Sequence, residues 1–229
     1  MSTTLRGISS MATRQVLGDL ASAYVARNGR QVAMESVGGV DAARRVQAGE
    51  AFDIVVLASD AIDKLMASGH AAAGSRVDIV RSGVAVAVRA GAPRPDIGSE
   101  DAVRRAVLAA PSIGYSTGPS GTAVLQLFER WGIAGQVRGR LVQARPGVPV
   151  GTMVATGQVA LGFQQFSELN DLAGVEVVGP LPAAIQITTI FSGAICTASG
   201  QPDAVRELLA FMASPANADT KRRHGMDPA

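Results

Sequence analysis

Ser112-Ile-Gly-Tyr-Ser-Thr-Gly-Pro-Ser-Gly-Thr122, continuing as Ala-Val-Leu-Gln-Leu-Phe-Glu-Arg-Trp131, holds a strand, a junction and a helix in one short stretch. Ser112-Ile-Gly-Tyr115 reads as a strand. Val124, Leu127, Phe128 and Trp131 recur at helical spacing and define one apolar face. The junction between them is built from hydroxyl residues, two glycines and a proline. Such a loop lets the backbone approach a ligand and then opens a helix whose first N–H groups lack internal partners and attract an anion. Ser116, Thr117, Ser120 and Thr122 add hydroxyls there, and Gly121 adds room. An ordinary strand-to-helix turn would use the same residue types, so this loop alone does not separate the two readings.

Working outward, the same arrangement repeats. The stretch 5–9 reads as a strand ending in Ser9-Ser10, and Val16, Leu17, Leu20 and Tyr24 form the face of the helix that follows. A strand over 31–36 turns through Gly38-Gly39 into a helix over 41–47. Asp53-Ile-Val-Val-Leu57 is a continuous apolar run, the pattern of a strand covered on both faces. Ala58-Ser59-Asp60 then opens another helix, with Asp60 expected as a cap. Strand–turn–helix units in this density point to a parallel α/β sheet. Ser82 to Val88 is a long strand of small apolar residues, and 186–197 is a second one. Between them lie further units, with Ser99 as an N-cap, a turn at Arg145-Pro-Gly147, and a strand ending at Gln164-Gln165.

This order predicts an α/β protein of two lobes, the second inserted in the first, with two crossing strands. Lobe one takes 1–84 and 191–229, and lobe two takes 85–190. Ligands of open α/β sheets bind beyond the carboxyl ends of the strands, so a cleft between the lobes is the expected site. The residues expected to bind there are Ser9, Ser10, Met11, Ala12, Thr13, Gly38, Gly39, Ser59, Ser116, Thr117, Ser120, Gly121, Thr122, Gly147, Gln164 and Gln165. Arg14 and Arg145 are the cationic candidates. A guanidinium pairs bidentately with a carboxylate, which favours an organic acid as the ligand.

Composition bounds the chemistry. With 229 residues the chain forms one large domain or two small lobes. Hydrophobic residues make up 47% and aromatics 4%, which suits a compact α/β fold packed through small side chains. The formal net charge is only +2, and the one basic cluster, Lys221-Arg-Arg-His224, reads as a solvated helix end. No nucleic-acid partner is expected. A single cysteine, Cys196, excludes an internal disulfide, and its apolar surroundings predict an inert thiol. The two histidines, His70 and His224, leave little material for a Ser-His-Asp triad or a histidine-rich metal site. Neither Gly-x-x-x-x-Gly-Lys-Ser/Thr nor Gly-x-Gly-x-x-Gly occurs, so no nucleotide cofactor is expected, and no metal. No apolar leader or membrane-length run is present. As written, the protein is expected to be cytoplasmic without membrane insertion, or periplasmic if an export signal has been removed. Among acidic and phenolic residues Glu35, Asp41, Asp60, Tyr115 and Glu168 stand near the strand ends. Tyr115 and Glu35 are the candidates for proton transfer.

Ala43-Arg-Arg-Val-Gln-Ala-Gly49, followed by Phe52-Asp-Ile-Val-Val-Leu-Ala-Ser-Asp60, resembles the molybdate-binding proteins of ABC transporters. The resemblance continues through Gly83-Val-Ala-Val-Ala-Val88, the 115–132 loop and helix, Gly157-Gln-Val-Ala-Leu-Gly162, and Glu207-Leu-Leu-Ala-Phe-Met-Ala-Ser-Pro-Ala216. It implies the type II periplasmic-binding-protein fold, a two-lobed clamshell, and a small anionic ligand. An ABC permease is implied as a partner only if an export signal has been removed. In that family a serine of the oxyanion pocket stands where this chain has Gly38-Gly39-Val40. A tyrosine is replaced by Gln164 or Gln165, and an acidic stretch by Arg145-Pro146-Gly147. These departures favour a planar di- or tricarboxylate over molybdate. Aconitate isomerase resembles the same family and moves a double bond within a tricarboxylate. The resemblance therefore implies an isomerase of an unsaturated polycarboxylate, with an oxyanion transporter component or a non-catalytic cytoplasmic sensor as the alternatives.

Overall fold

The structure is a computed structural model that describes residues 4–145, 147–170 and 172–229. The chain separates into two compact units, 1–82 with 189–229 and 83–188.

The first unit begins with β1 (Leu5–Ser10), a 3-10 turn over Met11–Thr13 and α1 (Arg14–Asn28). It continues with β2 (Val32–Val37), α2 (Gly39–Gln47), β3 (Ile54–Ala58) and α3 (Ser59–Ala67). Strands β2, β1 and β3 lie parallel in that order, in the register Ser9↔Ser36 and Ser9↔Val56. Alternation along β3 explains why its whole length is apolar. Ile54 and Val56 join a core with Val16, Leu17 and Leu20 of α1. Val55 and Leu57 face the other way, onto Ala42 and Val46 of α2 and Ile62 and Leu65 of α3. A strand with helices on both faces has no solvated side to carry polar residues. Asp60 does not cap α3, because Ala58 occupies the cap position; the Asp60 carboxylate lies 3.6 Å from Lys64 instead.

Strand β4 (Val77–Arg89) carries the chain from the first unit into the second. Then come α4 (Glu100–Ala109), β5 (Ile113–Tyr115), α5 (Pro119–Arg130), α6 (Ala134–Val137) and β6 (Leu141–Gln143). They are followed by α7 (Val150–Ala155), β7 (Leu161–Gln165), α8 (Phe166–Leu169) and β8 (Val175–Pro180). Strands β6, β5 and β7 are parallel, while β4 runs antiparallel between β7 and β8. Ser99 caps α4 as its sequence position implies, its Oγ accepting from the Ala102 N–H at 3.2 Å. Val84, Val86 and Val88 pack on Val103, Val107, Val124, Leu127 and Phe128. The opposite face of β4 is Ala85 and Ala87, where only short side chains leave room for Leu169 of α8. Each fully buried Leu, Val or Phe contributes roughly 1.5–3 kcal/mol.

The chain returns through β9 (Thr188–Ile195), which pairs antiparallel with β3, and closes with α9 (Pro202–Ala213), α10 (Ala218–Arg223) and β10 (Asp227–Pro228). The basic cluster on α10 is not uniformly solvated. Lys221 is fully buried, its Nζ donating among the described residues only to Ala213 O at 3.4 Å, and desolvation lowers its pKa. The His224 ring reaches Asp19 of α1 at 2.9 Å. Cys196 is buried, which pushes its thiol up to about 12 and leaves it a weak nucleophile.

Candidate functional site

In the first unit the parallel register brings Ser10, Val37 and Leu57 to one level at the carboxyl ends of β1, β2 and β3. Beyond that level the backbone opens into Met11, Gly38 and Ser59, at the starts of the helices or turns that follow. The neighbouring serines at the end of β1 are used differently. Ser9 points onto the β2 side, and its hydroxyl lies 2.8 Å from the Ser36 hydroxyl. It is spent holding two strands together rather than kept for a ligand. Ser10 is 8% exposed, and its hydroxyl has no hydrogen-bond partner among the described residues. A β-carbon on Gly39, the first residue of α2, would sit 3.6 Å from the Ser10 β-carbon. The unpartnered hydroxyl therefore lies beside the N-terminal turn of a nine-residue helix. Helix N–H groups without acceptors and a buried O–H without one are two donors awaiting the same kind of guest.

The remaining first-unit candidates are less free. Thr13 donates its hydroxyl to Ser10 O at 3.1 Å. Met11 and Ala12 form the turn leading into α1, and Arg14 opens that helix as an exposed side chain without an ion pair among the described residues. Ser59 is half-buried at the first position of α3. Glu35 is not placed for proton transfer. It lies exposed on β2, and Arg45 binds both its carboxylate oxygens while also gripping Glu50 and lying over the Phe52 ring. The Arg45 hydrogen bond holds the Glu35 carboxyl below its ordinary range, so it is a weak base.

In the second unit, Tyr115 pairs with Gln143 and Phe163. One residue further, Ser116 and Ala144 lie just past β5 and β6, level with Gln164, the penultimate residue of β7. Gly118 caps α5, Pro119 fills its first position, and no side chain supplies the cap. The hydroxyls of Ser116 and Ser120 meet at 3.1 Å. A pair of hydroxyls bonded to each other uses one proton internally and keeps one to give away. Gly121 makes this approach possible, since a β-carbon there would lie 1.9 Å from Ser116 O. Thr117 and Thr122 are exposed on either side. Tyr115 is half-buried, and its hydroxyl has no hydrogen bond among the described residues. Arg145 is exposed just past β6, without an ion pair among the described residues, in a turn closed by Val148 N–H to Arg145 O at 3.0 Å. Gly147 holds a φ of +77° in that turn, and Pro146 lies outside the described residues.

Gln164 is a holder rather than a free donor. Its Oε1 accepts from Gly151 N–H in α7 at 2.9 Å, and its Nε2 donates to Glu168 Oε2 at 2.8 Å. Gln165 is buried at the end of the strand. Glu168, on the short helix α8, is the ionisable group the periodicities do not single out. Its residue keeps partial exposure, but its carboxyl is enclosed, and desolvation outweighs the Gln164 hydrogen bond to push it up to about 7. The signal in the sequence is a lone acid in Gln164-Gln-Phe-Ser-Glu168, between the end of an apolar strand and Leu169.

These two polar strand edges belong to a known architecture. The structure aligns with the periplasmic molybdate-binding protein of Azotobacter vinelandii at a TM-score of 0.80 and 19% identity, covering 97% of this chain and 98% of that one. It aligns with the sulfate-binding protein of Mycobacterium tuberculosis at 0.81 and 17% identity, covering 99% and 87%. The fold is that of the type II periplasmic-binding proteins. The chain belongs to the bacterial extracellular solute-binding protein family, matched over residues 5–227. Among curated proteins it is 37% identical to an aconitate isomerase from Pseudomonas sp over 99% of this chain and 88% of that protein. Among the described residues no helix is long and apolar enough to cross a membrane.

Proposed function

We propose that the protein binds a small di- or tricarboxylate at these strand edges and isomerises an unsaturated one by allylic proton transfer. The observation that carries this reading is the 37% identity with an aconitate isomerase across nearly the whole chain. The site chemistry agrees with it. Ser10 and the first turn of α2 offer neutral donors, as do the Ser116–Ser120 pair and the first turn of the twelve-residue α5. Arg145, exposed and without an acidic partner among the described residues, is available to a planar carboxylate. Tyr115 adds a phenol at the end of β5. Removing a proton beside a carboxylate builds negative charge, and fixed N–H and O–H donors stabilise it without reorganising.

The sulfate- and molybdate-binding neighbours favour a second reading, oxyanion capture without turnover. Thermal unfolding of the protein with aconitate, citrate, molybdate, tungstate and sulfate separates the two. A ligand at a hundred times its dissociation constant stabilises the fold by about 2.7 kcal/mol. Stabilisation by the tricarboxylates is the expected result. Stabilisation by molybdate or sulfate alone would replace the carboxylate reading with the second one.

A further inference from the structure

We infer that Glu168 is the group that takes and returns the proton in this isomerisation, held for that task by Gln164. The inference rests on the isomerase reading above and names its missing base. The argument is positional first. Gln164 is level with Ser116, one residue past the Tyr115↔Phe163 pair, so its amide stands at the carboxyl edge of the second unit's sheet. Its two ends are fixed, one on Gly151 N–H at 2.9 Å and the other on Glu168 Oε2 at 2.8 Å. The amide cannot turn over without losing both bonds, so it orients the carboxyl as well as contacting it. The residues around α8 close on this arrangement through Gly151, where a β-carbon would lie 2.5 Å from Leu172 and 3.1 Å from Leu169. Glu168 nonetheless keeps partial exposure.

Among the described residues of this unit no other acid is so placed. Glu100 is bound by Trp131 and Arg130, and Glu176 by Arg94. Among the described residues no cation pairs with Glu168, so its proton affinity is not suppressed as that of Glu35 is. Its pKa of about 7 lets it accept and release a proton near neutrality.

The step balances without any co-reactant. The Glu168 carboxylate takes a proton from the methylene next to the double bond. That C–H bond breaks, an O–H bond forms, and the electron pair spreads over the three allylic carbons and their carboxylates. The acid then gives its proton to the far allylic carbon. A new C–H bond forms there, the double bond shifts by one position, and the carboxylate is restored.

The test compares the full chain with Glu168→Gln, an isostere that can still accept from Gln164. Both are assayed for binding of trans-aconitate by thermal shift, and for conversion of cis- and trans-aconitate by NMR. The expected result is binding within a few-fold of wild type and turnover lower by about 100-fold or more. Wild-type turnover with a variant retaining more than about a third of it overturns the role of Glu168 and leaves the isomerase reading standing. Binding without turnover by the wild type overturns the isomerase reading, and this inference with it. Should the variant not fold, the wild-type pH profile decides. An acidic limb in kcat/KM with an apparent pKa between about 6 and 8 supports Glu168. A rate independent of pH across that range overturns it.

Discussion

Replacing Ser10 by Ala separates a ligand donor from a structural hydroxyl. The Ser10 hydroxyl is buried without a hydrogen-bond partner among the described residues, and such a group costs roughly 1–3 kcal/mol of stability. Ser10→Ala removes that cost and little packing, so the unliganded variant should be as stable as wild type or more so. In the complex the same hydroxyl donates to an anion, a bond of about 1.5–3 kcal/mol. Taking about 2 kcal/mol, the dissociation constant rises about 30-fold. With ligand at a hundred times the wild-type dissociation constant, stabilisation falls from about 2.7 to about 0.9 kcal/mol. For a chain of this length that is a thermal shift of about 5–11 °C reduced to about 2–4 °C. Calorimetric titration with trans-aconitate gives the affinity, and scanning calorimetry gives the unliganded stability. A variant that loses stability when unliganded yet binds as tightly as wild type refutes the assignment. The hydroxyl would then be structural, as that of Ser9 is.

Other substitutions probe separate parts of the account. Gly121→Ala forces a β-carbon against Ser116 O and should cost about 1–3 kcal/mol in chemical denaturation, with a larger proportional loss of binding. Glu35→Gln breaks an exposed pairing with Arg45 and should leave ligand affinity unchanged within about two-fold by titration, as expected of a surface ion pair. Glu168 binds its proton more tightly folded than unfolded. Its contribution to stability is therefore full below about pH 4.5 and is lost as pH rises through about 7, a change of order 3 kcal/mol. Glu168→Gln should accordingly be more stable than wild type at pH 8 and equal to it near pH 4.5, measured by urea unfolding at both. The buried Lys221 has the opposite sign. Desolvation lowers its pKa, so its penalty is relieved only as pH rises toward the ordinary lysine value, and Lys221→Met should raise the unfolding midpoint at pH 7.

Much of the fold was legible because helical spacing and continuous apolar runs report packing directly. Val124, Leu127 and Phe128 are buried as their spacing requires, and Trp131 stacks on Phe128 with ring centroids 5.9 Å apart. The glycine and hydroxyl junctions mark the carboxyl ends of strands, which is where an α/β protein keeps its polar loops. What each hydroxyl does there was not legible. Ser9 and Ser10 are adjacent and chemically alike, and only the parallel register with β2 spends one on Ser36. Glu35 reads as a free acid until the fold brings Arg45 onto it from α2. Glu168 sits on a four-residue helix too short for any periodicity, and its enclosure depends on contacts around Gly151, Leu169 and Leu172. Lys221 is followed by two arginines and reads as surface, although it is fully buried with its Nζ on Ala213 O.

The most direct test of the central claim is turnover itself. Purified protein is mixed with cis-aconitate in heavy water, and the proton spectrum is followed until it stops changing. The account predicts that the trans isomer appears, with deuterium entering the methylene position whenever the abstracted proton exchanges before its return. Tight binding of both isomers with neither converted, and no deuterium uptake, would contradict it and leave a protein that holds its ligand without changing it.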